Sequence, residues 1–123
     1  MRVFPNPTGA GSLWFDNLAT ADGTAVTYDP QARAFVPSGP FCANRDLIGC
    51  NWIAPEQGAL CQSCAMTALA PDSSVPDATL NWAKTEAAKR WVIDNLGRWH
   101  WFRPEDPGVR PVFRMLAEGP SPV

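Results

Sequence analysis

Four cysteines, Cys42, Cys50, Cys61 and Cys64, lie in one short stretch of a 123-residue chain. They constrain the fold most, because thiols this close in sequence end as bridges, as a redox pair or as ligands of one ion. Cys61-Gln62-Ser63-Cys64 is a C-x-x-C knuckle. That spacing lets two thiolates face one ion while neighbouring backbone N–H groups support the sulfurs. Cys42 and Cys50 have seven residues between them, a wider gap than a knuckle. Four thiolates at tetrahedral positions satisfy Zn2+ completely. Such a closed site is structural, because no coordination position remains for water or substrate. One structural zinc on Cys42, Cys50, Cys61 and Cys64 is therefore the expectation. Iron in a rubredoxin-like site has the same geometry. Two disulfides, in any of three connectivities, are another alternative. A redox-active C-x-x-C is a further one, but it needs a thioredoxin-like βαβ setting that the sequence does not display.

Compartment bears on that choice. Met1-Arg2-Val3-Phe4-Pro5-Asn6-Pro7 lacks the apolar stretch of a signal peptide. No run of about 18 apolar residues suggests a membrane span. The chain reads as cytoplasmic, where thiols stay reduced and favour metal over disulfide. The formal charge of -2 argues against a nucleic-acid partner, whose phosphates reward a basic surplus. Lys84, Lys89, Arg90, Arg98 and Arg103 form a locally basic stretch. It reads first as a solvated helix face and, as the weaker alternative, as the contact surface of a nucleic-acid-binding ribbon. No His-Glu-x-x-His, Gly-rich phosphate loop or nucleophile elbow is present, so no catalytic residues are assigned. His100, the only histidine, reads as a packing or surface residue, and Glu105-Asp106 as a solvent-facing turn.

Thirteen Pro and nine Gly require much turn and loop, while six Trp and six Phe can fill a core with few residues. Residues 1–40 predict a small antiparallel sheet or meander. Its strands are Leu13-Trp14-Phe15, Ala25-Val26-Thr27-Tyr28 and Arg33-Ala34-Phe35-Val36, with a hairpin signal at Asp22-Gly23. Residues 41–70 predict a cysteine-bound hairpin, with a strand at Asn51-Trp52-Ile53 and a turn at Pro55-Glu56-Gln57-Gly58. Residues 71–97 predict one long helix. It is capped at Ser74 or Val75, buried along Leu80, Ala83, Ala87 and Trp91, and closed by Gly97. Residues 98–123 form an aromatic- and Pro-rich segment. Trp99, Trp101 and Phe102 are expected to fold back onto the domain or to remain as a protein-docking patch. Val112-Phe113-Arg114-Met115-Leu116 reads as a helical turn or a strand. The fold class is α+β: a small zinc-ribbon-like domain with antiparallel hairpins, one four-cysteine site and one long helix in the C-terminal half.

From Cys42-Ala43-Asn44 through Gly49-Cys50-Asn51-Trp52 to Gly58-Ala59-Leu60-Cys61-Gln62-Ser63-Cys64, the chain resembles the N-terminal zinc-ribbon region of the bacterial zinc-binding metallopeptidases, a largely uncharacterised family. The likeness continues through Pro71-Asp72, Asn81-Trp82 and Glu86-Ala87-Ala88-Lys89-Arg90. The resemblance implies a further ribbon at the start, opening with a Cys-Pro-x-Cys knuckle. Here Phe4-Pro5-Asn6-Pro7 and Thr20-Ala21-Asp22-Gly23 stand at its two knuckles, so residues 1–40 read as a ribbon that has lost its metal. It also implies a C-terminal domain bearing a His-Glu-x-x-His site, which this chain does not contain. The expected function is a non-enzymatic zinc-binding module for protein interaction. The alternative is the N-terminal part of a metallopeptidase whose catalytic domain lies elsewhere.

Overall fold

The computed structural model describes residues 2–101, 103 and 105–117. Chain order begins with two hairpins. Strand β1 (Val3–Pro5) pairs antiparallel with β2 (Ser12–Trp14), placing Phe4 opposite Leu13. Alternation along each strand buries Phe4 and Leu13 and exposes Val3 and Trp14. Strand β3 (Val26–Asp29) pairs antiparallel with β4 (Ala34–Pro37), with Tyr28 opposite Phe35. The expected three-stranded meander is thus two separate hairpins, since β2 takes β1 as its hydrogen-bonded partner. The Pro-flanked β1 gives little sequence signal, because proline is confined to strand ends and edges. The Asp22-Gly23 turn forms as expected, closed by Thr20 N donating to Thr24 O at 2.9 Å, with Gly23 at φ +90°.

The two hairpins pack through aromatic edges. Tyr28 is the hub, with ring centroids 5.2 Å from Phe4, 5.0 Å from Phe15, 5.4 Å from Phe35 and 6.0 Å from Trp52. The three pairs with phenylalanine are edge-to-face, and such pairs add about 0.5–1.5 kcal/mol each beyond their buried area. Asn51-Trp52-Ile53 is extended as expected. Tyr28 N donates to Asn51 O at 2.7 Å and Ile53 N to Tyr28 O at 2.9 Å, which ties the cysteine-bearing segment to β3.

A short helix α1 (Arg45–Ile48) stands between Cys42 and Cys50, where the sequence reading placed none. After the knuckle, β5 (Thr67–Leu69) leads to α2 (Ala78–Arg98), a 21-residue helix about 31 Å long. Strand β6 (Phe113–Arg114) lies parallel to β5 and brings Met115 into the core, so the strand reading of this segment holds. Among the described residues, no helix is long and apolar enough to cross a membrane.

The helix α2 buries a different face from the expected one. Leu80 and Trp91 are exposed and Ala83 alone of the expected stripe packs against the core, while Trp82, Glu86, Lys89, Arg90, Ile93 and Asp94 point inward. The cause is polar pairing across long sequence distances. Glu86 accepts from Trp82 Nε1 at 2.9 Å and from Thr67 Oγ1 at 2.7 Å, and it meets Lys89 Nζ at 2.9 Å. Asp94 accepts from Tyr28 Oη at 2.7 Å and pairs with Arg2. The ends also differ. The cap is Asp77 at φ +62°, and Gly97 lies inside the helix while His100, at φ +63°, takes the left-handed position beyond it. Trp99 and Trp101 do not close the core, being 65% and 67% exposed. Phe102 lies outside the described residues.

Candidate metal centre

Each cysteine is placed by local structure that its neighbours dictate. The Phe41–Ile53 bridge delivers Cys42, whose carbonyl accepts from Arg45 N at 2.9 Å and so starts the turn into α1. That helix ends at Gly49, at φ +70°, a conformation glycine reaches without strain. The reversal turns Cys50 back toward Cys42, so α1 takes up the wide gap between them. Past Cys50, the Asn51 side chain donates to Phe15 O and Asn17 O, both at 2.8 Å, which pins the segment to the N-terminal half. The turn at Glu56–Ala59, with Gly58 at φ +86°, returns the chain, and Ala43 N donates to Ala59 O at 2.9 Å. In the knuckle, Ala65 N donates to Cys61 O at 2.9 Å, and Cys64 opens a single 3₁₀ turn.

The result is a cluster of four buried, unbridged thiols whose sulfurs all lie within 4.8 Å of one another. Cys50 Sγ is 3.6 Å from Cys61 Sγ and 3.7 Å from Cys64 Sγ. A tetrahedron with zinc–sulfur bonds of about 2.3 Å has sulfur–sulfur edges of about 3.8 Å. Disulfide sulfurs, by contrast, stand about 2.05 Å apart. Backbone amides aim at the cluster as they do around a thiolate. Asn44 N and Cys61 N donate to Cys42 Sγ at 3.5 and 3.4 Å, and Cys64 N donates to Cys61 Sγ at 3.4 Å. The donor set and its spacing fit a divalent ion held by thiolates alone. Cys42, Cys50, Cys61 and Cys64 would hold it, supplying a closed, structural coordination shell.

The electrostatics of the bare cluster are lopsided. Hydrogen bonds from Cys50, Cys61 and Cys64 hold Cys42 far below the ordinary thiol range. The same crowding, by Cys42 first and then Cys50 and Cys64, pushes Cys61 far above it. Cys64 is pushed up too, by Cys42 and then Cys50. Cys50 is opposed by Cys42 but pulled down overall by Cys61 and Cys64, with help from the charge of Arg90. Four thiols packed together cannot all ionise alone. A divalent cation inverts that balance and deprotonates coordinating thiols outright.

Other residues singled out in the sequence fall elsewhere. His100 is exposed beyond α2, with Nδ1 3.2 Å from Arg103 Nη1. Asp106 accepts from Arg103 Nη2 at 2.9 Å and from Arg103 N at 2.7 Å, and these bonds, the side-chain one first, hold its carboxyl below the usual range. Glu105 sits 3.4 Å from Arg103 Nε. The basic stretch is not one solvated face. Lys89 and Arg90 are buried, at 7% and 2% exposure, and Arg103 is paired with carboxylates. The buried charges of α2 escaped sequence reasoning, and the Glu86–Lys89 spacing of three was their one local signal.

These features define a small α+β protein with antiparallel hairpins, one long helix and a four-cysteine cluster, consistent with a zinc-ribbon-like fold. The uncharacterized protein Rv2568c of Mycobacterium tuberculosis (strain ATCC 25618 / H37Rv) is 30% identical to it over 128 residues. So is the uncharacterized protein Mb2598c of Mycobacterium bovis (strain ATCC BAA-935 / AF2122/97). Each alignment takes in 95% of this chain but 38% of the relative, so the chain spans under two fifths of the length of the curated relatives it matches. No family model matches the chain, and no solved structure matches it.

Proposed function

We propose that the chain is a non-enzymatic module that holds one structural Zn2+ on Cys42, Cys50, Cys61 and Cys64 and docks to a partner protein. The observation that carries the metal reading is the spacing of the sulfurs, which matches the edge of a zinc–thiolate tetrahedron. Zinc is preferred to iron because closed four-cysteine sites are the usual structural zinc arrangement. Binding would add folding free energy of about 10–16 kcal/mol, the range found for structural zinc in small peptides. The N-terminal hairpins support the reading of a ribbon that replaced its metal. At its two knuckle positions, Asn6 Oδ1 accepts from Thr8 N at 2.9 Å and Asp22 Oδ1 from Thr24 N at 3.1 Å. Oxygen acceptors thus hold turns that thiolates hold in a metal ribbon, and the Phe4, Phe15 and Tyr28 rings supply the core.

The test is elemental analysis of protein purified without added metal, with a thermal melt before and after chelation. One zinc per chain and unfolding on chelation are expected. One iron per chain would replace zinc in the reading. Protein free of metal, whose thiols react only after reduction, would refute the site. Docking is supported by the exposure of Trp99 and Trp101. Trp101→Ala should leave the melt unchanged and weaken partner binding. A loss of stability with binding intact would refute the docking role.

A second reading makes the module the N-terminal region of a longer zinc-binding metallopeptidase. It is favoured by the resemblance of the cysteine stretch and by the greater length of the mycobacterial relatives. Transcript mapping decides it. An in-frame continuation past Val123 encoding a His-Glu-x-x-His site supports it, and a stop codon after Val123 refutes it.

A further inference from the structure

Arg90 is 2% exposed in the middle of α2, and its Nε and Nη1 have no hydrogen-bond partner. The carboxylate paired with it is Asp16, whose Oδ1 stands 4.0 Å from Nη2 on a side chain that is 63% exposed. A guanidinium cannot escape burial by losing its proton, since it stays charged at every accessible pH. An uncompensated buried cation is among the costliest features a fold can hold. The interior must therefore supply more negative charge than Asp16 gives.

The packing shows where that charge lies. Asp16 sits between Phe15 and Asn17, whose carbonyls clamp the Asn51 side chain next to Cys50. Trp91, the neighbour of Arg90, packs on Phe15 at 5.4 Å. This middle turn of α2 thus passes beside the Phe15–Asn17 segment to which the residue following Cys50 is tied. Arg45, another cation on the cysteine side, is only half-buried and has hydrogen-bond acceptors, so its charge is not stranded as that of Arg90 is. Arg45 Nη1 donates to Val26 O at 2.9 Å and its Nη2 to Leu18 O at 2.5 Å. A divalent ion on four thiolates carries a net charge of about −2, which is the compensation Arg90 lacks.

We propose that Arg90 is the charge-compensating residue of the four-cysteine centre, a buried guanidinium of α2 that balances the anionic metal–thiolate cluster. It ligates nothing and acts through the field at the sulfurs, so it is a positioning residue. The inference rests on the metal reading of the cluster. It also makes α2 part of the metal site, although no ligand lies on that helix.

The experiment is Co2+ binding to the full chain at fixed pH, followed by cobalt–thiolate absorption in competition with a chelator. It compares the unaltered protein with Arg90→Met, Arg90→Lys and Asp16→Asn. Arg90→Met should still bind one Co2+ but about 10- to 100-fold more weakly, the usual effect of removing an outer-shell partner. Arg90→Lys should recover most of that loss, and Asp16→Asn should stay within about threefold of the unaltered affinity. A purely structural arginine predicts otherwise, because an apolar side chain of similar length often replaces a buried charge at no cost. Unchanged affinity in Arg90→Met would therefore overturn the proposal. So would an Asp16→Asn loss equal to that of Arg90→Met, which would make Asp16 the true partner. If Arg90→Met does not fold, the Arg90→Lys and Asp16→Asn pair decides. In that case Arg90→Gln, which also removes the charge, joins the pair: an Arg90→Gln loss of about tenfold or more that Arg90→Lys recovers and Asp16→Asn does not share upholds the proposal, and unchanged affinity in Arg90→Gln or an equal loss in Asp16→Asn overturns it. Absence of Co2+ binding by the unaltered protein would instead refute the metal reading itself.

Discussion

Glu86→Gln isolates the buried charge pair that fixes the face α2 presents to the core. The carboxylate receives Trp82 Nε1 at 2.9 Å, Thr67 Oγ1 at 2.7 Å and Lys89 Nζ at 2.9 Å, and both charged side chains are almost wholly out of solvent. Glutamine has nearly the same shape and keeps an acceptor for the indole and the hydroxyl. What it removes is the charge opposite Lys89. Breaking one side of a buried pair costs about 3–5 kcal/mol, mostly because the surviving ion is left uncompensated. Lys89 retains its bond to Thr67 Oγ1, at 2.5 Å, and its position 4.6 Å over the Phe113 ring. A desolvated cation–π contact is worth about 2 kcal/mol, which places the expected loss near the lower figure, about 3 kcal/mol. That is a large share of the stability of about 5–15 kcal/mol available to a domain. The assay is urea unfolding at fixed excess metal, run as a cycle with Lys89→Met and the double variant. The double variant should recover most of the loss, since replacing both charges is often neutral. A single-variant cost below about 1 kcal/mol, or a double variant as weak as the sum of the singles, would refute the reasoning.

Two further outcomes follow from the hydrogen-bond geometry. Asn51→Ala strips Phe15 O and Asn17 O of their donors, so it should cost about 2–4 kcal/mol by chemical denaturation; a cost under about 0.5 kcal/mol would mean water takes over both bonds. Tyr28 has its phenol pushed above the ordinary value by burial first and then by its bond to Asp94. Its folded state therefore holds the proton longer than the unfolded chain does. The stability this contributes is complete below about pH 10 and is lost as pH rises through the folded value. Tyr28→Phe should flatten the alkaline limb of the stability–pH curve, and an unchanged limb would assign that limb to other groups.

The cysteine cluster was legible because ligand spacing is a local property. Cys61 and Cys64 announce a knuckle by themselves, and one ion can gather two more thiols from anywhere within a short loop. How Cys50 returns to Cys42 was not legible. The four residues of α1 are too few for periodicity, and only the left-handed Gly49 marks its end. The existence and length of α2 were readable for the opposite reason, as many residues vote together. Its orientation was not. Binary patterning assumes that charge faces water, and here Glu86, Lys89 and Asp94 face inward because partners as distant as Arg2, Tyr28 and Thr67 receive them. Trp91 and Leu80, the residues that patterning placed in the core, are displaced outward by that choice.

The inward charges also explain how so short a chain joins two unlike cores. The N-terminal hairpins are held by rings that meet at Tyr28, and the cysteine stretch by sulfurs that meet at one point. Rings and thiols share little surface chemistry, so a purely apolar helix stripe would match the first better than the second. One face of α2 serves both, because it alternates the two kinds of contact along its length. Asp94 binds the phenol of Tyr28, Arg90 is buried on the same face, and Trp82 packs in the common core that includes Cys61 and Cys64. Trp52 completes the join from the other side, following Cys50 and Asn51 in sequence while its ring lies 6.0 Å from that of Tyr28. The cysteine cluster and the aromatic core are therefore parts of one packing unit, so the state of the sulfurs bears on the shared core rather than on a local loop.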